Sequence, residues 1–105
     1  GSVVLRDRKH LAEDGLVIIT VTIDSATAEV VSGPEVISRG FVYVKEAEDL
    51  FDQVREVACD TLERCYDRGI NDWNNIKARV RDDTSKFLYE KTKRSPMILP
   101  IIMEI

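Results

Sequence analysis

From Pro96 to the last residue, the stretch SPMILPIIMEI (residues 95–105) carries a single charge, Glu104. Coming after helical sequence, it reads as a strand opened by Pro96, because a proline biases the residue before it away from the helical region. A strand alternates its side chains, so a strand covered on one face needs apolar residues only at every second position. Here both sets are apolar. Met97, Leu99, Ile101, Met103 and Ile105 point one way, while Ile98, Pro100 and Ile102 point the other. Something must cover the second face.

Earlier in the chain, LVIITVTID (16–24) is β-branched at nearly every position and reads as another strand. Val17, Ile19, Val21 and Ile23 form one of its faces, and Leu16 and Ile18 add apolar mass to the other. The polar interruption DSAT (24–27) allows a hairpin into AEVVSGPEVISRGFVYV (28–44). Gly33-Pro34 and Gly40 mark that second strand. Proline cannot donate to a ladder and glycine weakens one, so a bulge or an edge position is expected.

Two helices lie between the hairpin and the last strand. Leu50, Val54, Val57, Ala58, Thr61, Leu62 and Cys65 recur at three- and four-residue spacing, with Gly69 placed to end the first helix. Asn71 or Asp72 can cap the second, whose stripe is Trp73, Ile76, Val80, Phe87 and Leu88. The short connection RGIN predicts an antiparallel helix hairpin. The order is therefore β-β-α-α-β, an α+β fold with a small three-stranded sheet and two antiparallel helices on one face. Spatial order 2-1-3 is favoured, because it leaves Pro34 and Pro100 on edges; order 1-2-3 stays open.

At 105 residues, 44% apolar and 32% charged, the chain has the composition of one ordinary small domain. Its net charge of −4 argues against a general nucleic-acid coat. No apolar stretch approaches the ~20 residues that span a bilayer. Gly1-Ser2 reads as a cloning scar, residues 3–15 as a lead-in segment at the end of a linker, and 16–105 as the domain itself. Cys59 and Cys65 lie six apart on one helix, which turns them to different faces, so two free thiols in a reducing cytoplasm are expected.

Few residues offer chemistry. His10 is the single histidine and makes no zinc site alone. Asp14, Glu46, Glu48, Asp49, Asp52, Glu56, Asp82 and Asp83 read as residues of helix starts and solvent faces. Asp82 and Asp83, adjacent on a helix, point about 100° apart and do not share an ion. No nucleophile–base set or glycine-rich phosphate loop is recognisable, so no catalytic or metal residue is assigned. SRGFVYVKE (38–46) partly matches the aromatic RNP1 strand of RNA-recognition domains, but Val42 and Glu46 break the pattern and the hairpin opening is the wrong topology. Lys91, Lys93 and Arg94, with Arg39, are the candidates for phosphate contact. Cations at a helix C-terminus also need no ligand.

With helices on one side, Leu16, Ile18, Ile98, Pro100 and Ile102 are expected to leave an apolar patch on the other. Patches of a few hundred Å² mark interfaces. A second copy, in a dimer or tetramer, or another domain of a parent protein is the expected partner.

LRDRKHLAEDGLVIITVTID (5–24), VVSGPEVISRGFVYV (30–44) and above all FLYEKTKRSPMILPIIMEI (87–105) closely resemble the C-terminal domain of bacterial ribonuclease J. The resemblance covers nearly the whole chain and is least distinctive from Glu46 to Val80. It implies a parent with a metallo-β-lactamase core and a β-CASP insertion. That parent would be a cytoplasmic, zinc-dependent enzyme that degrades and matures RNA, cutting internally and from the 5′ end. It further implies that this domain helps to assemble dimers or tetramers. The family's metal-binding His/Asp motifs have no counterpart here, so zinc belongs to the parent. Two functions follow as expectations: an assembly domain without catalysis of its own or, as the alternative, an accessory module gripping RNA phosphates through the basic corner.

Overall fold

The computed structural model describes residues 14–41 and 47–105. His10, Val42, Tyr43 and Glu46 lie outside them. Three strands, β1 (Leu16–Ile23), β2 (Val30–Arg39) and β3 (Met97–Glu104), and two helices, α1 (Ala47–Asp67) and α2 (Trp73–Thr92), follow one another as β-β-α-α-β. β1 is central, antiparallel to β2 and parallel to β3, in the order 2-1-3.

Central position suits β1, the strand without proline. Its residues alternate strictly between half-buried and buried. The buried set, Val17, Ile19, Val21 and Ile23, meets Leu50, Val54, Ala58 and Leu62 of α1 and Ile76, Val80 and Leu88 of α2 in one core. Each such side chain contributes about 1.5–3 kcal/mol by leaving water. β2 carries the predicted bulge: Thr20 pairs with Glu35 but Thr22 with Ser32, so Gly33 and Pro34 together oppose Val21. Arg55 of α1 donates from Nε to the Pro34 carbonyl at 3.1 Å, tying the irregular strand to the helix.

The helix ends follow their local signals. Gly69 has φ +68°, its N–H donates to Tyr66 O, and the Ile70 N–H donates to Cys65 O, which together close α1 in a Schellman motif. Ile70 then folds back onto the core. Asp72 caps α2, its carboxylate accepting from the Asn74 N–H at 3.2 Å.

Gly15 joins the sheet's near end to the rest of the chain. Its φ is +89°, and a Cβ there would lie 2.4 Å from the Gly40 carbonyl carbon. The Gly15 carbonyl also accepts from the Met97 N–H, and Asp14 Oδ2 accepts from the Ser95 N–H. Backbone conformation and close approach both demand glycine. Gly15→Ala is expected to cost about 3 kcal/mol in urea denaturation.

Phe41 and Thr84 correct the sequence reading. Phe41, expected to lie on a strand face, comes after the end of β2 and is buried against Phe51 of α1. Thr84 belongs to the buried stripe of α2 and is fully enclosed, and its Oγ1 has no hydrogen-bond partner among the described residues. An unpaired buried hydroxyl is costly where a methyl of the same shape is not. Thr84→Val is therefore expected to raise stability by about 1 kcal/mol in the same denaturation assay.

Candidate functional site

The sheet face turned away from the helices is assembled from alternate residues of all three strands. The register lines up Arg39, Leu16 and Met97 in one row, then Ile37, Ile18 and Leu99, then Glu35, Thr20 and Ile101, then Ser32, Thr22 and Met103. Ile37, Leu99, Ile101 and Met103 are 42%, 39%, 38% and 50% exposed, values far too high for core residues. Leu16, Ile18 and Met97 between them are half-buried. Ile105, whose N–H donates to Ile23 O, prolongs the β3 row. The result is an apolar band running along β1 and β3, with Glu35 and Arg39 along its β2 side.

Leu16 and Ile18 thus lie where the sequence placed them. Ile98, Pro100 and Ile102 do not. Parallel pairing sets Ile98 beside Val17, Pro100 beside Ile19 and Ile102 beside Val21, all on the helix-facing side. Ile98 is only 5% exposed, Pro100 is half-buried and Ile102 packs against the core. The outer face of β3 is instead made by Met97, Leu99, Ile101 and Met103. Both phases of this strand are apolar, so only the register with β1 could decide between them.

Lys91 lies in the last turn of α2, and Lys93 and Arg94 come directly after the helix. Lys93 is the C-cap, in the left-handed conformation, with its N–H donating to Tyr89 O at 2.8 Å. Its Nζ lies 5.4 Å from the Tyr89 ring centroid, and Lys91 Nζ lies 5.9 Å from that of Phe87. Both ammonium groups are held over aromatic faces, as cations commonly are. The Arg94 N–H donates to Thr92 Oγ1. Arg39 belongs to another element, the end of β2, and its Nη1 donates to Ser38 O.

Two cavities were not foreseen. An apolar one of about 330 Å³ lies between the β1–β2 turn and the helix hairpin, lined by Ile23, Val30, Leu62, Tyr66 and Trp73 among others. Cys59 and Cys65 both border it and both are free. Burial pushes the Cys59 thiol up, and the neighbouring Asp60 carboxylate adds to the effect. Burial also raises Cys65, against the pull of Arg79 and Arg64. Protonated thiols are poor nucleophiles, so neither cysteine is set up for covalent chemistry. The second cavity, small and polar, lies where the end of α1 meets α2. Asp83, expected on a solvent face, keeps 41% of its side chain exposed and also bridges the helices there. Its Oδ2 lies 2.8 Å from the Thr61 hydroxyl, which donates to it, and 2.8 Å from Arg64 Nη2. Among the described residues no group of three or more His, Cys, Asp or Glu side chains could hold a metal ion.

Residues 3–105 match the sequence profile of the ribonuclease J C-terminal domain. The chain is 47% identical over its full length to ribonuclease J2 of Bacillus subtilis, and 48% identical to ribonuclease J 2 of Staphylococcus aureus. In each case it spans 19% of the relative's length. A match over all but the first two residues, together with near-half identity across all three strands and both helices, establishes that this chain belongs to the ribonuclease J C-terminal domain family.

Proposed function

We propose that the domain is an assembly module of a ribonuclease J-type enzyme, acting through the outer face of its sheet. The observation that carries this reading is the apolar band of Leu16, Ile18, Ile37, Leu99, Ile101 and Met103, which no element among the described residues covers. A band of that kind is expensive to leave in water. At ~25 cal/mol per Å², covering about 400 Å² of apolar surface gains about 10 kcal/mol before association costs.

A second copy is the favoured cover. Glu35 and Arg39 flank Ile37 on the same edge of the face, with opposite charges. In a twofold contact each patch meets itself, so Arg39 of one copy can pair with Glu35 of the other. In this reading the parent is a cytoplasmic, zinc-dependent nuclease that cuts RNA internally and from its 5′ end. Its metal and catalytic groups lie in the part that this chain does not span. The domain's contribution is indirect: it holds catalytic modules in a fixed relation. Sedimentation velocity of the chain across the micromolar range tests this. A dimer or tetramer dissociating on dilution is the expected result, and a strict monomer at high micromolar concentration rules out self-association.

A further inference from the structure

The polar cavity at the junction of α1 and α2 gathers three guanidinium groups in an otherwise acidic chain. Arg64 lies in the last turn of α1, Arg68 comes directly after that helix, and Arg79 comes from α2. Cys65 and Thr61 form part of its wall. With one carboxylate, Asp83, in the lining, three positive charges against one negative leave a formal +2. The surrounding protein carries −4 overall.

Two of the three arginines are held in place. Arg64 is clamped by Asp83 at 2.8 Å, and Asp83 is itself fixed by the buried Thr61 hydroxyl. Arg79 donates from Nε to Asn75 Oδ1 at 3.0 Å, and that bond does not use its Nη groups. Arg68 makes no side-chain hydrogen bond or ion pair with the described residues. Like charges four residues apart on a helix repel. Favourable interaction of cations with the end of α1 accounts for Arg64 and Arg68. It does not account for Arg79, which belongs to the other helix. The convergence is felt at the thiol between them: Arg79, Arg64 and Arg68 all act to lower Cys65, although burial outweighs them.

We propose that this cavity is an oxyanion site that receives a tetrahedral phosphate group between Arg64, Arg68 and Arg79. Its volume of about 60 Å³ is several times the ~10–15 Å³ that one water requires. Planar guanidiniums present donors matched to phosphate oxygens, and the bonds of Arg64 to Asp83 and of Arg79 to Asn75 restrict both side chains before binding. The phosphate is either free or carried on a nucleic-acid chain. The site lies in the helical layer, so it is independent of assembly through the sheet.

The test is an NMR titration of the ¹⁵N-labelled chain with inorganic phosphate, at ionic strength balanced with chloride, following arginine Nε–H signals and the amides of residues 64–70. The wild type is expected to show saturable shifts there. Arg68→Gln and Arg79→Gln should each weaken binding at least about tenfold. Arg79→Lys, which keeps the charge but loses the fork, should fall between. Far-UV circular dichroism confirms that the variants fold. Shifts that do not saturate, that persist unchanged in the glutamine variants, or that centre on Lys91–Arg94 overturn the proposal. A tetranucleotide RNA added to the same samples separates the sources. Tighter binding than phosphate, lost in the same variants, assigns the site to a nucleic-acid backbone. Binding of phosphate without competition by RNA assigns it to the free ion.

Discussion

Ile98→Asp is expected to abolish folding, while Leu99→Asp, one residue along, leaves a folded domain. Ile98 is 5% exposed and lies beside Val17 in the layer between sheet and helices. Among the described residues, the apolar core around Ile98 offers a carboxylate no cation. The loss of apolar burial and the desolvation of a polar group together exceed about 4 kcal/mol, comparable with the whole stability of a small domain. Even Ile98→Ala is expected to cost about 2–5 kcal/mol through the cavity it leaves. Leu99 is 39% exposed on the opposite face, where a carboxylate keeps its water. The cost there is about 1 kcal/mol, from the poorer strand propensity of aspartate at an edge. Far-UV circular dichroism with urea denaturation of both variants decides the matter. Equal stability of the two, or a worse outcome for Leu99→Asp, would mean that β3 presents the other face to the helices.

The paired substitution Leu99→Asp, Ile101→Asp should abolish self-association while the fold survives. Both residues lie in the middle of the outer band, and in the proposed twofold contact each copy would contribute both of them. In a twofold contact the substitution introduces four carboxylates into one interface. Loss of about 1.5–3 kcal/mol per buried side chain, added to uncompensated desolvation, corresponds to weakening by more than about a hundredfold. Sedimentation velocity at a concentration where the wild type is fully associated should show only monomer. An unchanged oligomer with intact circular dichroism moves the interface elsewhere on the molecule. Arg39→Glu gives a finer reading. It sets like charges against Glu35 of the second copy, and adding Glu35→Arg in the same chain should restore association, a rescue that general loss of stability cannot mimic.

These two experiments address different surfaces from the phosphate titration. The proposed assembly would use the outer face of the sheet, and the proposed anion site depends on arginines of the helix hairpin. A domain that both self-associates and binds phosphate can lose either property alone, so failure of one reading leaves the other intact.

Much of the architecture was legible from local chemistry. Gly69 and the pair Asn71-Asp72 announced the turn between the helices, because a left-handed C-terminus and an oxygen acceptor at an N-terminus are needs of the backbone itself; the structure chose Asp72 as the cap. Proline at positions 34 and 100 favoured edge places for their strands, because a missing N–H is tolerated there, and the structure has β1 in the centre. Val17, Ile19, Val21 and Ile23 were read from the sequence as one face of β1, and that face is the buried one.

Other features had no such local signature. Thr84 reads as a polar helix residue until α2 is docked, and Asp83 reads as solvated until Thr61 and Arg64 stand opposite it. Arg64 and Arg68 are visibly one turn apart, but nothing in the sequence places Arg79 against them. Most consequential is β3, whose two faces are equally apolar. Alternation selects a face only where the two sides differ in polarity. The sequence alone determined that this segment is a strand oily on both sides and in need of cover on each. Which side the helices cover, and so which residues remain for a partner, was decided by the pairing of Val17 with Ile98. A one-residue slip would have reversed it, and register is a property of two strands together.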